Sequence, residues 1–152
     1  MFFRYLLLIS LLQAVHPASF FPPIIKQKYY EIRGAWVATV SNIDFPQIRS
    51  TEAYEEHKNE LKSIVENAKN LGLNTIYFQI RPNSDAFYKS KYECWSYYYT
   101  NLEGKAPNNG KDDPLKMILE YGQIYGIDVH AWFNPYRSTR SEIADDPKKS
   151  IC

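Results

Sequence analysis

Apolar and polar residues alternate along three stretches of the chain and recur at helical spacing in the two stretches between them. EIRGAWVATV (31–40), LNTIYFQI (73–80) and IDVHAWFN (127–134) are rich in β-branched and aromatic residues and read as strands. From Ser50 or Thr51, either of which can cap a helix, to about Leu71, the apolar positions Tyr54, Leu61, Ile64, Val65, Ala68 and Leu71 form one helical stripe. Glu52, Glu55 and Glu56 fall in its first turns, where the helix dipole favours acids, and Gly72 follows as a stop. Asp113 and Pro114 open a second helix as cap and first residue. Leu115, Ile118, Leu119 and Tyr125 repeat along it, and Gly126 ends it. The order strand, helix, strand, helix, strand predicts parallel strands with helices packed outside them.

The alternation assigns faces. Ile76, Phe78 and Ile80 share one side of the second strand, and Thr75, Tyr77, Gln79 and Arg81 the other. In the third, Ile127, Val129, Ala131 and Phe133 oppose Asp128, His130, Trp132 and Asn134. In the first, Ala35, Val37 and Thr39 oppose Gly34, Trp36 and Ala38. An open doubly wound sheet buries both faces and calls for nearly continuous apolar strands. One greasy and one mixed face fits a closed (β/α)8 TIM barrel, with functional groups at the strand C-termini. A single His in a strand is more often a hydrogen-bonded core residue than a ligand-binding one. His130 gains weight because Gln79 and Arg81 hold matching places, and burying such groups unpaired costs several kcal/mol. A wet pocket lined by the set is the simpler reading.

Between the second strand and the second helix lies a loop, Arg81 to Asp112, well beyond the ~15 residues at which structureless loops become uncommon. It carries Phe87, Tyr88, Tyr92, Trp95, Tyr97, Tyr98 and Tyr99. Two uses remain open for these rings: closing the barrel mouth as structure, or stacking on a ligand. Aromatic faces beside polar groups suit sugars, whose rings have apolar C–H faces and hydroxyl edges.

Composition narrows the partners. The chain has 152 residues, 45% apolar and 16% aromatic, with a net charge of +1. That is a globular composition without a basic stripe, so no nucleic acid partner is expected. Residues 1–18 combine Arg4, the apolar run Tyr5–Leu12 and most of the breaking segment His16–Ser19. They read as a signal peptide rather than as a strand or helix of the domain. The run is shorter than the ~20 residues needed to span a bilayer, so no membrane role beyond export is expected. Residues 19–30, with Pro22 and Pro23, read as a linker. The expected location is therefore secreted or cell envelope. Cys94 and Cys152 could form a bond or remain two thiols. His16, His57 and His130 stand far apart, so neither a metal nor another cofactor is expected.

The segments EIRGAWVATVSNIDFP, LGLNTIYFQIRPNSDAFYKSKYECWS, EGKAP and GIDVHAWFNPYR together resemble the glycosyl-hydrolase-like 10 family over Glu31 to Arg137. The resemblance implies a secreted or envelope-bound TIM-barrel glycoside hydrolase acting on a polysaccharide, in some members peptidoglycan glycan strands. Carried over by position, it implies substrate binding by Trp36, Gln79, Arg81, Asp85, His130, Trp132, Asn134, Tyr136 and Arg137. A full barrel takes ~250 residues, whereas residues 19–152 supply three strands. The chain is therefore expected to be the first three β/α units, whether through a truncated gene model, a frameshift or a real short product, and inactive alone. Glycoside hydrolysis generally uses two carboxyl groups. Asp85 and then Asp44 follow strand ends, Asp128 lies at the opposite end, and Asp112 and Asp113 read as helix-capping residues. No catalytic pair emerges, and Asp85 fits substrate orientation better. The alternative is a non-catalytic carbohydrate-binding or cell-surface protein. A metal-dependent deacetylase would need a His/Asp cluster that the sequence lacks.

Overall fold

The computed structural model describes residues 30–137. The expected signal peptide, nearly all of the expected linker and Cys152 lie outside the described residues. From Glu31 on, the described residues belong to one compact unit. Its centre is a parallel sheet of β1 (Gly34–Val37), β2 (Thr75–Arg81) and β5 (Asp128–Phe133), in the order β1-β2-β5. Helices α1 (Tyr54–Asn70) and α3 (Pro114–Tyr125) connect these strands and pack against each other. The result is a mixed α/β architecture with a parallel sheet, and among the described residues β1 and β5 are its edges.

Period-2 patterning decides what the helices cover. Ile76 and Phe78 are fully buried together with Leu61 and Val65 of α1 and Ile118 of α3. Leu71, counted in the helical stripe, is instead 77% exposed, because α1 ends at Asn70 and Leu71 is already its C-cap. The predicted start also moves. Ser50 Oγ accepts from Glu52 N in a local turn, and Ala53 becomes the N-cap with no side-chain capping bond. At α3, Asp113 accepts from Lys116 N at 3.1 Å and Pro114 occupies the first turn, as expected. Gly126 closes α3 at φ +66°, a left-handed conformation that costs other residues more. Gly122 lets α3 approach β5: a Cβ there would lie 2.8 Å from both Ile127 O and Val129 Cγ2.

Asp112 does not cap α3. It is buried with His57 of α1, whose Nδ1 stands 3.6 Å from Asp112 Oδ2 while Nε2 bonds Ile48 O at 2.7 Å. Only the next residue is placed to meet the helix N-terminus.

The long loop is ordered by short elements: β3 (Asp85–Ala86) pairs in parallel with β4 (Cys94–Trp95), and α2 (Tyr97–Thr100) follows. Phe87, Tyr97, Tyr98 and Tyr99 are buried in the core. Phe45 is within 5.8–6.3 Å of the rings of Phe78, Phe87 and Tyr99. These rings serve as structure, whereas Tyr92 is 94% exposed. Cys94 is disulfide-bonded rather than a thiol.

Candidate functional site

Strand register gathers four rings on the face away from the helices. Trp36 pairs with Tyr77, Tyr77 with His130, and Gln79 with Trp132. Residues opposite each other in register share a face. Trp36 stacks on Tyr77 at 4.6 Å between centroids and meets Trp132 edge-on at 5.0 Å, while His130 lies 5.3 Å from Tyr77. Trp36 is 62% exposed, and His130 is exposed as well. The Trp132 indole donates to Asn134 Oδ1, and Asn134 Nδ2 donates to Pro82 O, both at 3.1 Å. Those bonds fix the indole against the end of β2.

Gln79 lies on the same face but is fully buried. Its Oε1 accepts from Thr39 N at 2.9 Å and Val40 N at 2.8 Å, and Thr39 Oγ1 donates to its backbone carbonyl. It ties the turn after β1 to β2. Asp44 braces the same turn by accepting from Ala38 N at 2.7 Å. Asp85 is fully buried, and its Oδ1 accepts from Asn83 N at 2.8 Å.

Arg81 departs from the aromatic group. A register shift between Gln79 and Arg81 sets Arg81 beside Phe133. Its Nε donates to Glu93, one terminal nitrogen donates to Asn134 O at 2.8 Å and the other to Ser84 Oγ at 3.1 Å. Arg81, Tyr88, Ser90, Tyr92, Glu93, Phe133 and Pro135 surround a cleft of about 450 Å³. Glu93 Oε1 meets Arg81, and the Tyr88 phenol also engages the Glu93 carboxylate. Burial, then the nearby Glu93 charge, pushes the Tyr88 phenol up from its usual value. Tyr136 is 96% exposed, and the exposed Arg137 offers its carbonyl to Ser84 Oγ at 3.0 Å.

The structure thus brings Trp36, His130, Trp132 and Asn134 together, with Gln79 beneath them. Arg81 stands at a neighbouring cleft, Asp85 is interior, and Tyr136 and Arg137 lie on the surface. Glu93 did not emerge from the sequence as a candidate, and Tyr88 emerged only as one of the loop rings. The β3–β4 pairing returns Glu93 to Arg81, and a two-residue ladder leaves no readable periodicity. Among the described residues, no three His, Cys, Asp or Glu side chains gather as a metal site.

A three-stranded parallel α/β unit with aromatic side chains on its uncovered face is compatible with a segment of a glycosidase-like domain, and comparison with known proteins identifies its class. Residues 31–148 match the family described as glycosyl hydrolase-like 10, and the chain belongs to that family. It is similar to the glycosyl hydrolase YngK of Bacillus subtilis, 39% identical over 109 residues, which is 72% of this chain and 21% of that protein. It is also similar to the glycosyl hydrolase DigH of Escherichia coli K12, 36% identical over 128 residues, covering 80% of this chain and 28% of DigH. The DigH of Shigella flexneri matches to the same extent. The chain therefore spans between a fifth and a third of the length of these curated relatives.

Proposed function

We propose that this chain forms the first three β/α units of a (β/α)8 barrel of an exported glycoside hydrolase that cleaves a polysaccharide such as the glycan strands of peptidoglycan. The observation that carries the reading is the ring group Trp36, Tyr77, His130 and Trp132 on the sheet face that no helix among the described residues covers. In a closed barrel that face is interior, and its C-terminal end holds the site. Flat rings stack on the C–H faces of sugars, while the exposed His130 meets the hydroxyl edge.

The residues described here do not supply catalysis alone. A retaining or inverting pair needs carboxyl groups ~5 Å or ~6.5–9.5 Å apart across the bond. Asp44 is bonded to the β1 turn, Asp85 is interior, and Asp128 begins its strand at the other end. We assign the catalytic acids to other parts of the barrel and expect the 152-residue chain alone to be inactive.

Reducing-end release from peptidoglycan glycan and from chitin oligomers would be measured for this chain and for a longer polypeptide that contains it. Turnover by the longer form only is the expected result. Turnover by the short chain alone would refute the assignment of the acids. Sugar binding without turnover in both would favour a non-catalytic carbohydrate-binding protein.

A further inference from the structure

We propose that Gly34 and Tyr77 are positioning residues for the aromatic face: the missing side chain at Gly34 seats the Tyr77 ring across β1, and the seated ring sets where Trp36 and His130 stand. This rests on the glycosidase reading and deepens it, by naming what holds the contact surface rather than a further contact. An ideal Cβ on Gly34 would lie 2.8 Å from Tyr77 Cε2 and 3.5 Å from Tyr77 Cδ2. The first distance is well inside the ~3.5–4.0 Å at which carbon atoms make contact. The Tyr77 ring edge therefore occupies volume that any other residue at position 34 would fill. Register explains the meeting. Gly34 pairs with Thr75 and Trp36 with Tyr77, so the space at Gly34 opens on the face that carries Trp36 and Tyr77. A small residue opposite a large one is how inward side chains of a barrel interdigitate.

The consequence falls on Trp36. Trp132 is fixed by a hydrogen bond, its indole donating to Asn134 Oδ1 at 3.1 Å. Trp36 is 62% exposed and is held by rings. It stacks on Tyr77 at 4.6 Å with 22° between the planes and meets Trp132 edge-on at 5.0 Å. Exposed His130 lies 5.3 Å from the same Tyr77 ring. Tyr77 is half-buried, so one ring supports two exposed ones. Aromatic pairs at these separations are favourable beyond the area they bury, and a displaced Tyr77 would leave Trp36 without its stacking partner. A Cβ at Gly34 would strike a ring edge that can turn about its side-chain bonds, so Gly34→Ala should move the ring rather than unfold the chain.

The test uses the full 152-residue chain, the indole N–H signals of its three tryptophans in two-dimensional NMR, and chitotetraose titrated by calorimetry. The Trp36 signal is assigned with Trp36→Phe. Gly34→Ala is expected to shift the Trp36 signal and leave that of Trp95 in place. It should weaken binding about two- to tenfold, the scale of one aromatic contact. Tyr77→Phe keeps the ring and should match wild type in affinity. In a Tyr77→Ala background Gly34→Ala should cause no further loss, because the ring it would strike is gone. An unmoved Trp36 signal in Gly34→Ala, or additive losses in the double variant, would overturn the seat. A moved signal with wild-type affinity would overturn the positioning role and leave the glycosidase reading standing. A moved signal with no binding by the wild-type chain would count against the sugar-binding face itself, and the positioning role would fall with it. If Tyr77→Ala fails to fold, Gly34→Ala and Tyr77→Phe decide.

Discussion

Replacing Gln79 tests whether a polar residue on the aromatic face shapes the fold or waits for a ligand. Its Oε1 satisfies two backbone donors, Thr39 N and Val40 N, at the turn leaving β1. Thr39 is fully buried and Val40 half-buried, so neither donor has ready access to water. Leaving a buried donor unpaired costs about 1–3 kcal/mol. Gln79→Met keeps most of the volume and removes the acceptor, so the expected loss is about 2–4 kcal/mol. Gln79→Ala adds a cavity and should lose more. With a urea slope of about 1–3 kcal/mol per molar, the Met variant should unfold about 0.7–4 M earlier. The assay is equilibrium urea unfolding followed by tryptophan fluorescence. A Met variant with the wild-type midpoint and slope would refute the structural role and return Gln79 to the ligand-facing group.

Gly122→Ala places a methyl 2.8 Å from Ile127 O and Val129 Cγ2, and the overpacking should cost about 1–3 kcal/mol in the same unfolding assay. Tyr99 is held far above the usual phenol range by burial and then by Asp112. Its folded form keeps the proton, so its contribution is intact below the unfolded value of about 10 and is lost as pH climbs beyond it. Tyr99→Phe should flatten the alkaline fall in thermal midpoint between about pH 9 and 11. An equally steep fall in both proteins would count against this. Burial raises the Glu60 carboxyl against the opposing bond from Gln47 N. The folded state therefore retains that proton more readily, and the carboxylate's penalty grows as pH rises through the acid range. Relative to wild type, Glu60→Gln should gain stability between about pH 4 and 7, and a constant difference across that range would refute the assignment.

Strand faces were legible because period 2 separates Ile76 and Phe78 from Tyr77 and Gln79 without knowledge of any partner. The same pattern placed Trp36, His130 and Trp132 on one side, and pairing register then brought their rings together. Roles were less legible, because they depend on distant backbone. Gln79 looks identical in sequence whether its amide faces a ligand or the turn at Thr39, forty positions away. Asp112 and Asp113 adjoin each other, yet one bonds at the helix N-terminus and the other faces buried His57. Arg81 left the inward set because a register shift interrupts the alternation on which the inference relied. Glu93 was invisible for a related reason: only the short β3–β4 pairing carries it back to Arg81.

Polarity on a strand end is therefore weaker evidence for ligand contact than unspent hydrogen-bonding capacity or open ring surface. The Gln79 carbonyl, the Asn134 amide and much of the Arg81 guanidinium are consumed in joining β1, β2 and β5. What stays open is the exposed Trp36 ring, exposed His130 and the Tyr92 ring, while Gln79 Nε2 remains buried without a hydrogen-bond partner. On the glycosidase reading proposed above, that division leaves contact with the apolar faces of sugar rings to this part of the molecule. The bracket residues hold those surfaces at fixed spacing, so under that reading weakening a bracket should impair sugar binding indirectly and lower stability at the same time. Weakening an open ring should impair binding alone.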